Sequence, residues 1–132
     1  MKTEVNNIYS QAVIGHFLCP QNSYNMPDAD AKGSIGDPSC GDSLTIFIKV
    51  KDNRIDEISY LVYGCPASIA TSSMLSMLAK GKIIEEALEI TENDVEEALD
   101  GLPESKQHCS NLGVSALRKA IDNYYLNKGE LI

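Results

Sequence analysis

Two of the four cysteines in this chain stand beside residues that could share a metal ion with them, and a third stands between a glycine and a proline. Cys40 lies in "GDPSCGD", two residues before Asp42. Cys65 falls between Gly64 and Pro66, and Cys109 directly follows His108. Cysteine, aspartate and histidine together can supply four ligands to a tetrahedral zinc ion, or equally to an iron–sulfur cluster. Both ions and sulfur-transfer chemistry need the thiolate rather than the thiol. No Cys-x-x-Cys pair occurs. A compact zinc-ribbon knuckle is therefore excluded, and any such site has to be assembled from distant segments. Lys106, two residues before His108, reads either as a solvated lysine or as a cation that tunes those thiolates. Cys19 has only Asn22 near it as a hard ligand and reads as incidental. His16 reads as a packing or surface histidine.

Each of the three cysteines falls where an element is expected to begin or end. Residues 5–17 place Val5, Ile8, Ala12, Val13 and Phe17 on one helical face, and Cys19-Pro20 ends that pattern. The stretch that follows is rich in Gly, Pro, Asn and Asp and reads as loop, with a short strand around Gly33–Gly36. In "SLTIFIKV" Leu44, Ile46, Ile48 and Val50 take one side of a strand while Thr45 and Lys49 take the other. "KDNR" predicts a turn and "IDEISYLVY" a second strand, giving an antiparallel hairpin. Pro66 opens a helix that Gly81 stops, with Ala67, Ala70, Met74 and Leu78 expected on its buried side. Thr91 to Asp94 has the form of a capping arrangement. The last helix, from about His108 to Lys128, buries Leu112, Ala116, Leu117, Ala120, Ile121 and Tyr124. The order is helix, short strand, two strands, then helices: an α+β fold with helices packed on a small antiparallel sheet and a long C-terminal helix. Cys65 then precedes one helix and Cys109 sits in the first turn of another, where free N–H groups favour a thiolate.

The chain has 132 residues, 43% of them hydrophobic and 23% charged. That length suits one domain over residues 1–132 with one core. The formal net charge of -8 argues against nucleic acid, since no basic patch could neutralise many phosphates, and against anionic membrane surfaces. The N-terminus alternates polar and apolar residues instead of forming the apolar run of a signal peptide. No stretch is long enough to span a bilayer. A cytoplasmic protein is expected.

Five stretches carry a resemblance: "YSQAVIGHFLCPQN", "GDPSCGDSLTIFIKV", "GCPASIATSSML", "GKIIEEAL" and "LPESKQHCSNLGVSALRKAI". Together they run from about Tyr9 to Tyr124, and in them the chain resembles the iron–sulfur cluster assembly scaffold family, the IscU proteins and the N-terminal domain of NifU. The resemblance implies a SufE/NifU-like fold, a three-stranded antiparallel sheet carrying helices. It implies that Cys40, Cys65 and Cys109 are ligands, that Asp42 promotes cluster release, and that His108 and Lys106 belong to the same site. It implies that Cys109 accepts sulfur as a persulfide from a cysteine desulfurase. An iron donor and an electron donor such as ferredoxin then complete a [2Fe–2S] cluster from Fe2+ and sulfide, which passes to apo-proteins. Zn2+ binds the same site in related proteins. The competing reading is a zinc-bound sulfur relay that uses Cys109 as its acceptor, a scaffold or carrier in either case and not a turnover enzyme. Tyr9 matches a tyrosine tied to cluster assembly or to a homodimer.

Three features depart from the family pattern. "LPESK" stands where a dedicated Hsp70-type chaperone would read "LPPVK", which argues against that partner. Pro66 replaces the usual glycine and removes an N–H that could donate to a cluster sulfur. Cys19 adds a fourth thiol. The long insertion of the SufU branch is absent.

Overall fold

The computed structural model describes residues 10–37, 42–64, 66–102 and 108–127. The elements are α1 (Gln11–Leu18), β1 (Ala31–Asp37), β2 (Asp42–Lys51), β3 (Arg54–Tyr63), α2 (Pro66–Ala79), α3 (Ile84–Ala87), α4 (Glu92–Ala98) and α5 (His108–Asn127). The α+β expectation holds: among the described residues three antiparallel strands form a sheet in the order β1-β2-β3, with helices packed on it.

The hairpin forms as its sequence dictates. Lys51 pairs with Arg54 across Asp52 and Asn53, whose φ values of 53° and 63° fit a type I′ turn. Leu44, Ile46 and Ile48 are buried on the inner face opposite Val62, Tyr60 and Ile58. A register shift at Lys49/Val50 leaves Asp56 as an extra residue on β3. That bulge is what lets Ile55 and Ile58, an odd number of positions apart, both point into the core. The strand expected over Gly33–Gly36 is longer, Ala31–Asp37, because its pairing with Ile48 through Asp42 recruits flanking residues of weak strand propensity.

Helix α5 lies along β1. A Cβ on Gly33 would stand 2.4 Å from the Ala120 nitrogen and 2.5 Å from the Ala116 oxygen, so the helix backbone touches the strand there and only glycine fits. Lys119, Asn123 and Asn127 donate to the carbonyls of Ser34, Lys32 and Asp30 at 3.2, 2.8 and 3.1 Å. Four helical residues rise ~6 Å and two strand residues ~6.6 Å, so the two repeats match. This ladder satisfies one edge of the sheet. The other edge is covered where the Tyr60 N–H bonds to Asn22 (3.2 Å) and the Ile55 N–H to Lys82 (2.9 Å).

Helix α2 is the centre of the domain, in contact with α1, α4, α5 and β3. Its buried surface differs from the expected stripe. Ala67 and Ala70 are buried, but Met74 and Leu78 only partly, while Ser68, Thr71, Ser72, Ser73 and Ser76 are fully enclosed. Hydroxyls bonded to the helix's own carbonyls, such as Ser72 to Ser68 at 2.8 Å, make these residues small enough and satisfied enough for the interior. Gly81, at φ +85°, stops the helix as its sequence predicts.

Helix α1 is shorter than the 5–17 pattern suggests. Ser10 is extended and its hydroxyl accepts the Val13 N–H at 3.1 Å, which starts the helix there. Residues 5–9 lie outside the described residues. The Ser10 hydroxyl also donates to the Leu99 carbonyl, tying the start of α1 to the end of α4. Thr91 and Asp94 form the expected capping box at 2.9 and 3.2 Å.

Candidate metal centre

The proposed ligands sit on or beside element ends that meet at one end of the sheet. Asp37 pairs with Asp42, so the chain between β1 and β2 closes there. Ser43 pairs with Tyr63, which brings the end of β3 beside the start of β2. Helix α2 begins three residues after Tyr63. Because Lys119, Asn123 and Asn127 meet Ser34, Lys32 and Asp30 in that order, α5 runs antiparallel to β1, and its first residues head toward this same end. One turn into α5, a Cβ on Gly113 would lie 3.0 Å from Leu75 and 3.9 Å from Leu44. Leu44 is two residues from Asp42, and Gly113 is four from Cys109.

Asp42 opens β2, and His108 and Cys109 open α5. Their side chains, together with Cys40, Cys65, Lys106 and Tyr9, lie outside the described residues. Among the described residues no group of three His, Cys, Asp or Glu side chains converges on one point. The two helix starts supply electrostatics: α5 is 20 residues long and α2 is 14, and both direct unpaired N–H groups and a positive dipole end toward this end of the domain.

Behind the centre runs a polar seam that apolar periodicity did not disclose. His16 Nδ1 lies 2.7 Å from the Ser73 hydroxyl, which also accepts the Gln21 N–H at 2.8 Å. The Asn22 amide donates to the Ser76 hydroxyl at 2.9 Å. Burial holds the His16 pKa below 6.5. Tyr60, 1% exposed, keeps its hydroxyl without a well-formed hydrogen bond among the described residues. Burial raises its pKa, and the nearby Ser73 and Ser23 hydroxyls oppose that rise. Four serines and threonines in "ASIATSSML" were the available signal. His16 is half-buried and packs its Nδ1 against Ser73, in keeping with the packing-or-surface expectation. Cys19 is exposed.

On the far face, segment 22–30 folds over the sheet. Tyr24 bonds to Glu57, Lys49 pairs with Asp28 at 2.5 Å, and Met26 and Phe47 are buried. This segment therefore covers the half of the sheet nearest the β2–β3 turn, away from the ligand-bearing end.

A small α+β domain, three antiparallel strands carrying helices, with the β1/β2 closure, the end of β3 and the start of α2 at one end, is the class that the fold defines. The N-terminal domain of a NifU-like protein from Brucella abortus superimposes with a TM-score of 0.73 at 17% identity, covering 94% of this chain and 99% of that one, a likeness of fold alone. The family described as the NifU-like N terminal domain matches residues 8–130. The iron-sulfur cluster assembly scaffold protein IscU 1 of Archaeoglobus fulgidus is 54% identical over 124 residues, covering 94% of this chain and 81% of that protein. The scaffold protein IscU of Aquifex aeolicus is 41% identical over 93% of this chain and 80% of its own length. The chain belongs to the family of NifU-like N-terminal domains.

Proposed function

We propose that this chain is a scaffold on which a [2Fe–2S] cluster is built and from which it is handed to apo-proteins. The observation that carries the reading is the meeting of the β1/β2 closure, the end of β3, and the starts of α2 and α5 at one end of the domain. The relatives' names as iron–sulfur cluster assembly scaffold proteins support it. The cluster is cargo here, and Cys40, Asp42, Cys65, His108 and Cys109 are the residues assigned to hold it.

The chemistry balances as follows. The Cys109 thiolate attacks the outer sulfur of a persulfide on a cysteine desulfurase. One S–S bond breaks, one forms, and the donor cysteine leaves as a thiolate. Its place in the first turn of α5 favours the attacking anion. Reducing two such sulfurs to sulfide takes four electrons. Two ferrous ions going ferric supply two, and an electron donor of the ferredoxin kind supplies the rest. Asp42 is a harder, weaker ligand for cluster iron than a thiolate, which keeps the product transferable. Zn2+ suits the same donor set and would occupy it when iron and sulfide are absent.

Anaerobic reconstitution with a cysteine desulfurase, cysteine and ferrous iron tests this, read by absorption and Mössbauer spectra with iron and zinc analysis. Two irons and two sulfides per site are expected, and Asp42→Ala should hold its cluster longer against an apo-protein acceptor. Faster release from Asp42→Ala would remove the role assigned to that carboxylate. Turnover that needs Cys109 but neither Cys40 nor Cys65 would favour a sulfur relay. A chain that unfolds on chelation would favour a structural zinc module.

A further inference from the structure

A groove of about 330 Å3 separates the end of α1 from the outer half of α2, lined by Ala12, Gly15, His16, Cys19, Gln21 and Met77. Three of these carry metal donors: an imidazole nitrogen, a thiol sulfur and a thioether sulfur. None belongs to the candidate centre. Met77 lies eleven residues beyond Pro66, about 16 Å along the helix axis.

The donors share the lining of this one groove. His16 stands in the last turn of α1 and Cys19 is the residue that caps it, and both line the groove. The Cys19 N–H bonds to Gly15 at 2.9 Å and its carbonyl accepts the Gln21 amide at 3.0 Å, so its backbone is fixed while its side chain is exposed. Met77 is 51% exposed, unusual for a thioether on the most buried helix of the domain. The His16 ring is held by Nδ1 against Ser73, a fully buried residue. With Nδ1–H donating to that hydroxyl, Nε2 carries a free lone pair, the arrangement in which a metal-ligating imidazole is ordinarily held. Burial disfavours the charged form of the ring.

We propose that His16, Cys19 and Met77 form a second metal site on this chain, a three-donor site for monovalent copper. One thiolate, one thioether and one imidazole make a soft set that lacks the carboxylates and fourth ligand preferred by zinc and ferrous iron. Binding releases the Cys19 proton and involves no change of oxidation state. Gly15 keeps the entrance open, since a Cβ there would meet nothing within 4 Å.

The test is anaerobic titration of the full, reduced chain with copper(I) against a chromophoric chelator. The Met77 methyl and His16 ring signals are followed by NMR, which separates this site from copper on the other thiols and does not depend on cluster assembly. Both signals should shift together with one copper bound. Cys19→Ser and Met77→Leu should each weaken that binding by about ten-fold or more. Gly15→Leu should do the same by filling the groove, with every ligand still present. Signals that stay put at saturating copper, or a Cys19→Ser chain that responds like its parent, would overturn the site. An equal response to Zn2+ would overturn its selectivity.

Discussion

Gly33→Ala should destabilise this protein although it replaces the least favoured strand residue with a better one. A methyl on Gly33 would meet three backbone atoms of α5: Ala120 nitrogen at 2.4 Å, Ala116 oxygen at 2.5 Å and the Lys119 carbonyl carbon at 2.9 Å. None belongs to a side chain that can rotate away. Ordinary contact begins near 3.4 Å, so α5 has to move off β1 by about 1 Å. Overpacking of this kind costs about 2–3 kcal/mol, against a gain of about 0.5–1 kcal/mol from removing a strand glycine. The clash wins by about 2 kcal/mol. With a urea slope of about 1–3 kcal/mol per M, the unfolding midpoint should fall by about 1 M. Gly15→Ala is the control. It is the same chemical change in a helix with nothing within 4 Å, and it should raise the midpoint slightly. The displaced helix begins with His108 and Cys109, so Gly33→Ala should also accept sulfur more slowly while still folded. A Gly33→Ala midpoint equal to that of the parent would refute the close approach of α5 to β1.

Two further outcomes follow from other contacts. Replacing Lys119, Asn123 and Asn127 together by alanine strips the donors from the carbonyls of Ser34, Lys32 and Asp30 and uncovers the β1 edge, so self-association should rise in sedimentation at fixed concentration; an unchanged monomer fraction would mean the ladder does not guard that edge. Burial depresses the folded-state pKa of His16 below 6.5, so the unfolded chain takes up the proton first, and stability present above pH 6.5 should decline as pH falls below it. His16→Gln should flatten that part of the profile between about pH 7.5 and about pH 5.5, and the same pH dependence in both proteins would show that another group controls it.

Much of the frame was legible in the residues because its signals are local. The β2–β3 hairpin follows from the alternation of Leu44, Ile46 and Ile48 and from Asp52-Asn53, and α5 follows from the spacing of Leu112, Ala116 and Ile121. Pro66, Gly81 and the Thr91–Asp94 box marked helix ends through chemistry confined to one turn. The kinds of donor, and the motifs shared with a scaffold family, were legible as well, since Cys40-Gly41-Asp42 and His108-Cys109 are each contiguous.

What the sequence could not announce depends on partners far along the chain. The central place of α2 was hidden because its buried face is built of Ser68, Thr71, Ser72, Ser73 and Ser76, whose burial is tolerable only once bonds within the helix and to His16 and Asn22 exist. The need for glycine at position 33 arises from a helix that begins more than seventy residues later. The start of α1 at Ser10 was set partly by Leu99. Residue types determined which chemistry this chain can hold. Only the antiparallel run of α5 along β1, a matter of long-range packing and edge hydrogen bonds, decided that the segments carrying that chemistry head for the same end.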